Sequence, residues 1–172
     1  TETECEIFHG TEKYPIYLIG MGIMGSVRGI NVGSFRPDTI VVDDPCDEEN
    51  SSTDEQRSKL NGVFFSGVKE ALVPASEDAN SNLILLQTPF NENDVTGLCA
   101  KSSDFKTLRI GILNAAGESA WPSRWTLDEI QKDKQAYVDR NQLSLWYREK
   151  MCELIAREDA PLRSEWLDYW QV

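Results

Sequence analysis

Two carboxylates stand side by side at Asp43 and Asp44, directly after the apolar run 39–42 and just before Pro45. Thr39, Ile40, Val41 and Val42 are β-branched throughout, as suits a strand buried on both faces. Adjacent acids at the end of such a strand repel each other unless something lies between them and a shared target. One chemistry answers this. The first acid positions magnesium through its water shell, and the second polarises the water that attacks the γ-phosphate of a nucleotide. Neighbouring strand-end residues can address metal and water separately. Asp-Asp-Pro is also good turn chemistry, so a solvated loop stands beside the magnesium–nucleotide reading. Asp47, Glu48 and Glu49 follow, and their simpler reading is a solvated approach to a helix.

A second pattern competes for a nucleotide. In "IYLIGMGIMG", Gly20, Gly22 and Gly25 form G-x-G-x-x-G after an apolar run, and Asp43 follows about 20 residues on. This resembles the fingerprint of NAD(P)-dependent hydroxyacid dehydrogenases, whose glycines let backbone approach a pyrophosphate at a helix N-terminus. A helix should begin at that turn, yet Gly29, Asn31, Gly33 and Pro37 occupy its place. Another strand also precedes. A glycine-rich loop packed under its neighbours is the better reading, with a Rossmann-type oxidoreductase fragment as the alternative.

The elements that must hold these groups can be read from periodicity. Residues 5–8 and 16–19 read as short strands around "HGTEKYP", a hairpin. Beyond the strand at 39–42, Ser and Thr in "DEENSSTDEQ" can cap a helix. Leu60, Val63, Phe64, Val68, Ala71 and Leu72 recur at helical spacing over residues 53–72. Gly62 and Gly67 weaken that helix without ending it. "NLILLQTP" is a further buried strand, and residues 107–113, "TLRIGIL", form a fourth. Thr126 and Glu129 make a capping-box signature. Residues 127–157 follow as two helices broken near 139–141. Strands alternating with helices give an α/β chain. All five tryptophans, at 121, 125, 146, 166 and 170, lie in the last third. That points to a helical subdomain whose large aromatics pack it onto the sheet.

Bulk properties narrow the classes. The formal charge is −12, from 29 acids against 17 bases, so the average surface repels phosphate backbones; no Lys/Arg cluster announces a local exception. Cys5, Cys46, Cys99 and Cys152 are far apart and His9 is the one histidine, which argues against zinc and for free, buried or half-buried thiols in a reducing compartment. No apolar run approaches a membrane span, and the first residues form no secretory signal. At 172 residues the chain can bury one real core.

An ordered set of segments carries a family likeness. "SVRG", "RPDTIVVDDP" and "ILLQTPFNENDV" occur in that order and are followed by "AWPSRWTLDEI". Together they resemble the ATPase domain of the large terminase subunit, the DNA-packaging motor of tailed bacteriophages, from about residue 16 to the C-terminus. The resemblance implies an incomplete P-loop NTPase (RecA-like, ASCE) core with a C-terminal helical subdomain. Residues 1–120 would supply the Walker B and coupling part of the core, and 121–172 a helical lid or linker ahead of a nuclease domain. Asp43 would be the Walker B aspartate for magnesium, and Asp44 the catalytic carboxylate, where many members carry Glu. Thr88, in "QTPF", matches the motif that couples hydrolysis to DNA movement. Arg28 would be an arginine finger offered to a neighbouring subunit, against a structural Arg paired with nearby acids; Arg36 reads as structural.

The same resemblance implies ATP and magnesium as cofactors. It implies double-stranded DNA, a portal protein and the small terminase subunit as partners, ring self-association of the full-length protein, no membrane, and the cytoplasm of a phage-infected or lysogenic host. No G-x-x-x-x-G-K-[ST] occurs in the chain, so nothing in it cradles the β- and γ-phosphates. The chain therefore reads as the later part of such an ATPase, inactive alone. A non-enzymatic interaction module derived from one is the alternative of a different class.

Overall fold

The computed structural model describes residues 3–8, 10, 11, 13–25 and 35–155. By its internal contacts the chain divides into two compact units, Thr1–Gln87 and Thr88–Val172.

Unit 1 opens with the expected hairpin. β1 (Thr3–Ile7) pairs antiparallel with β2 (Ile16–Gly20), from Thr3 opposite Gly20 to Ile7 opposite Ile16. Both strands are largely exposed, with Ile16 and Leu18 more than half so. Past β2, Gly25 N–H donates to Gly22 C=O at 2.8 Å and closes a turn.

β3 (Thr39–Asp43) and β4 (Asn82–Leu86) pair in parallel, Thr39 against Asn82 through Asp43 against Leu86. Parallel neighbours need a long connection, and a helical run supplies it. α1 (Glu48–Ser51) starts at a capping box, with Asp47 accepting from Asn50 N–H and Asn50 accepting from Asp47 N–H. α2 (Asp54–Val63) starts at another, made by Thr53 and Gln56. The run continues through a widened π turn at Phe64–Val68 into α3 (Lys69–Ala71). Of the apolar positions predicted for this helix, Leu60, Phe64, Val68 and Ala71 are buried. The strands present a covered face with Ile40, Val42, Leu83 and Leu85, and an exposed one with Val41, Ile84 and Leu86.

In unit 2, α4 (Val95–Lys101) is a helix that periodicity had not announced. α5 (Leu127–Asp139) begins at the Thr126–Glu129 capping box. The Thr126 hydroxyl and N–H hold the Glu129 carboxyl below its ordinary range. A lowered carboxyl contributes stability above its unfolded-state pKa, and that contribution is lost as pH falls through the folded value. The break is at Arg140–Gln142, where Asn141 adopts φ 56°. α6 (Leu143–Trp146) then runs into a π turn at Tyr147–Met151 and stops at Cys152, φ 53°.

The strand expected over residues 107–113 does not form. Leu108 and Ile110 are 81% and 68% exposed, and Leu113 alone makes a bridge, to Ser119. Ile112 N–H goes instead to Lys150 C=O at 2.7 Å. A strand needs a neighbour to exchange its backbone hydrogen bonds, and among the described residues no strand pairs with 107–111. The aromatic expectation also changes: Trp146 is fully buried, whereas Trp121 is 59% exposed. Cys46 and Cys99 are buried, Cys152 is half-buried and Cys5 is exposed, all as free thiols. Burial pushes the Cys152 thiol up despite Arg109 nearby. Among the described residues no helix is long and apolar enough to cross a membrane.

Candidate functional site at the carboxyl end of the parallel strand pair

Asp43 is the last residue of β3, opposite Leu86, the last of β4. Asp44 N–H donates to Leu86 C=O at 3.0 Å and carries the ladder one residue further. It does so at φ 44°, in the left-handed region. Asp tolerates that region better than most side chains, because its short polar group can bond locally. The turn ends the strand, and both carboxylates are exposed. Two hard oxygen donors at a strand end suit magnesium better than a soft metal.

The loop beyond is tied down. Gln87 holds both polar groups of the Cys46 backbone: its Oε1 accepts from Cys46 N–H at 2.7 Å and its Nε2 donates to Cys46 C=O at 3.2 Å. Pro45 and Cys46 are buried, and Asn50 Nδ2 donates to Pro45 C=O at 3.0 Å. Asp43 and Asp44 thus stand on a braced turn rather than a loose one. Glu48 and Glu49 are exposed in the first turn of α1, beside the helix N-terminus whose dipole favours them.

Gln87 is a residue that sequence reading missed. It is 41 positions from Cys46, and its only sign was a polar residue directly after an apolar run. Replacing it with Leu strips partners from a buried N–H and C=O, for an expected loss of about 2 kcal/mol. Amide hydrogen exchange at Cys46 should accelerate in Gln87→Leu; unchanged protection there would mean that the clamp contributes nothing.

The remaining predicted residues are distributed differently. Thr88 opens unit 2, two residues after β4 ends, and is half-buried. Arg28 lies outside the described residues. Asn91 and Asp94 of "NEND" turn out to be structural. Asp94 is 1% exposed and caps α4: its Oδ2 accepts from Phe90 and Asn91 N–H, both at 2.9 Å, and its Oδ1 from Gly97 N–H at 2.8 Å.

Gly20 ends β2, which pairs antiparallel in a hairpin, and Gly22 and Gly25 close a turn; the residues that would continue a pyrophosphate fingerprint, 26–34, lie outside the described residues. Among the described residues no three His, Cys, Asp or Glu side chains converge on a common point. A single carboxylate that addresses magnesium through its waters needs no such group. Compared with protein-family models and with curated protein sequences, the chain finds no match.

Proposed function

We propose that this chain is the Walker B and coupling part of a DNA-packaging ATPase of the large terminase subunit kind. The observation that supports this best is the pair Asp43 and Asp44 on a braced turn at the carboxyl end of a parallel strand. Open parallel sheets bind their ligands at that end. In this reading Asp43 would hold magnesium through water, and the metal when bound would offset the phosphate charge of ATP. Asp44 has turned into the left-handed region and orients a water, accepting its proton through a carboxylate oxygen. The Gln87 clamp holds the backbone of the turn that carries the two acids, so that this backbone need not be ordered when nucleotide arrives. Thr88 would carry the coupling role and Arg28 the finger role that the resemblance implies. Double-stranded DNA, the portal protein, the small terminase subunit and a ring of copies are the partners of that reading, and the host cytoplasm its place.

The 172-residue chain itself is expected not to hydrolyse ATP, for want of a phosphate loop. The polypeptide extended upstream through its own reading frame is expected to carry G-x-x-x-x-G-K-[ST] and to be a magnesium-dependent ATPase. In that protein Asp43→Asn and Asp44→Asn should each lower kcat by at least about 100-fold, with folding preserved because both acids are exposed. An upstream frame without the loop, or wild-type turnover in both variants, would overturn the proposal.

A further inference from the structure

Residues 119–125 hold an indole up to solvent on a closed turn. Ser119 Oγ donates to Trp125 C=O at 2.6 Å and accepts from Trp121 N–H at 3.2 Å. Trp121 C=O accepts from the N–H groups of Arg124 and Trp125, at 3.0 and 2.9 Å. Ala120 N–H donates to Ile112 C=O at 2.8 Å and anchors the other side. Trp121 is nevertheless 59% exposed. Such an arrangement presents a large apolar face on a backbone that is already ordered.

The charges beside it are unusual for this chain. The Arg124 guanidinium carbon lies 5.5 Å from the Trp121 ring centre and 6.0 Å from that of Trp125. Ala120, next to Trp121, lines an open cavity of about 370 Å³ together with Arg109, Ile110, Asn114, Met151 and Glu153. In a chain with 29 acids, neither Arg109 nor Arg124 is in an ion pair among the described residues.

We propose that this turn and the adjoining cavity contact a single-stranded stretch of nucleic acid, with a base stacked on Trp121 and its phosphates on Arg124 and Arg109. Indole and guanidinium together suit a planar ring that carries an anion. An acidic peptide would satisfy the two cations but leave the indole face without a planar partner. A duplex keeps its bases stacked on one another and offers none to Trp121. The net charge of −12 opposes any polyanion, so binding should be weak and visible at low salt. With two phosphates neutralised, the logarithm of affinity should fall against the logarithm of salt with a slope of about −1.4. Asp43 and Asp44 take no part, so the inference does not rest on the ATPase reading.

Fluorescence anisotropy of a labelled oligothymidylate, titrated with the purified chain at low salt, tests this. Saturable binding is expected, weakened about tenfold by Trp121→Ala and about twofold or less by Trp121→Phe, which keeps a ring. Arg109→Gln and Arg124→Gln should each flatten the salt dependence. Thermal melting of Trp121→Ala should match the wild type, because the side chain is exposed. Absence of binding, equal binding of the duplex, preference for oligoglutamate, or wild-type affinity in Trp121→Ala would each overturn the proposal.

Discussion

Gly97→Ala is expected to unfold unit 2 at markedly lower denaturant than the wild type. A Cβ built at Gly97 lies 2.2 Å from the carbonyl oxygen of Glu92, 2.5 Å from its carbonyl carbon and 2.9 Å from its Cα. These are backbone atoms, so no side-chain rotation relieves the contact. The loop must move away from α4, and that loop is held by Asp94. Phe90, Asn91 and Gly97 all donate N–H groups to that one buried carboxylate, so moving the loop strains the bonds that cap the helix. Overpacking and exposed backbone donors together should cost about 3 kcal/mol. Asp94→Ala should cost a similar amount by removing the acceptor itself.

The readout is favourable because all five tryptophans fall in the sequence of unit 2. Urea unfolding followed by indole fluorescence should show the loss as a lower midpoint at constant slope. Gly62→Ala makes the opposite control. It sits within α2 with nothing within 4 Å of its added Cβ, so Ala should stabilise that helix by about 0.5–1 kcal/mol, read by circular dichroism. A Gly97→Ala chain that unfolds with the wild type would mean that α4 does not pack as described.

These cases show what was legible in the sequence. Signals that act within a few residues were: the β-branched run became β3, and the Thr126–Glu129 pair became the start of α5. Asp47 with its following acids became a helix cap and first turn. Partners distant in sequence were not. Residues 107–113 carry strand composition, but strand formation is decided by a neighbour that composition does not name. Gln87 and Cys46 meet because β3 and β4 end side by side, a consequence of register. Asp94 had a local sign, an Asp three residues before Gly97 at a helix start, yet its burial follows from Phe90 and Asn91 wrapping back onto it. At the candidate site, the acids were legible and the brace beneath them was not.

The second large effect is expected from Trp146→Ala, and the reason is the shortness of what it holds. α6 has four residues, followed by a five-residue π turn. A helix that short does not persist without tertiary contacts. Trp146 supplies them: it is fully buried, and its Nε1 donates to Asp133 Oδ2 on α5 at 3.0 Å. Lys134 Nζ stands 4.9 Å from its ring centre and donates to the Tyr147 hydroxyl at 3.0 Å. Tyr147 meets the indole edge-on at 5.3 Å. Truncation removes the packing and the bond together, for about 4 kcal/mol. The following turn, including Arg148 stacked 4.5 Å from the Phe90 ring centre, should loosen with it. Trp146→Phe separates the contributions, since it keeps a ring and leaves the half-buried Asp133 without its indole donor; a loss of about 1–2 kcal/mol is expected. If Asp133→Ala proves additive with Trp146→Phe, the two side chains are not coupled. The α5–α6 pair would then be held by indole packing alone.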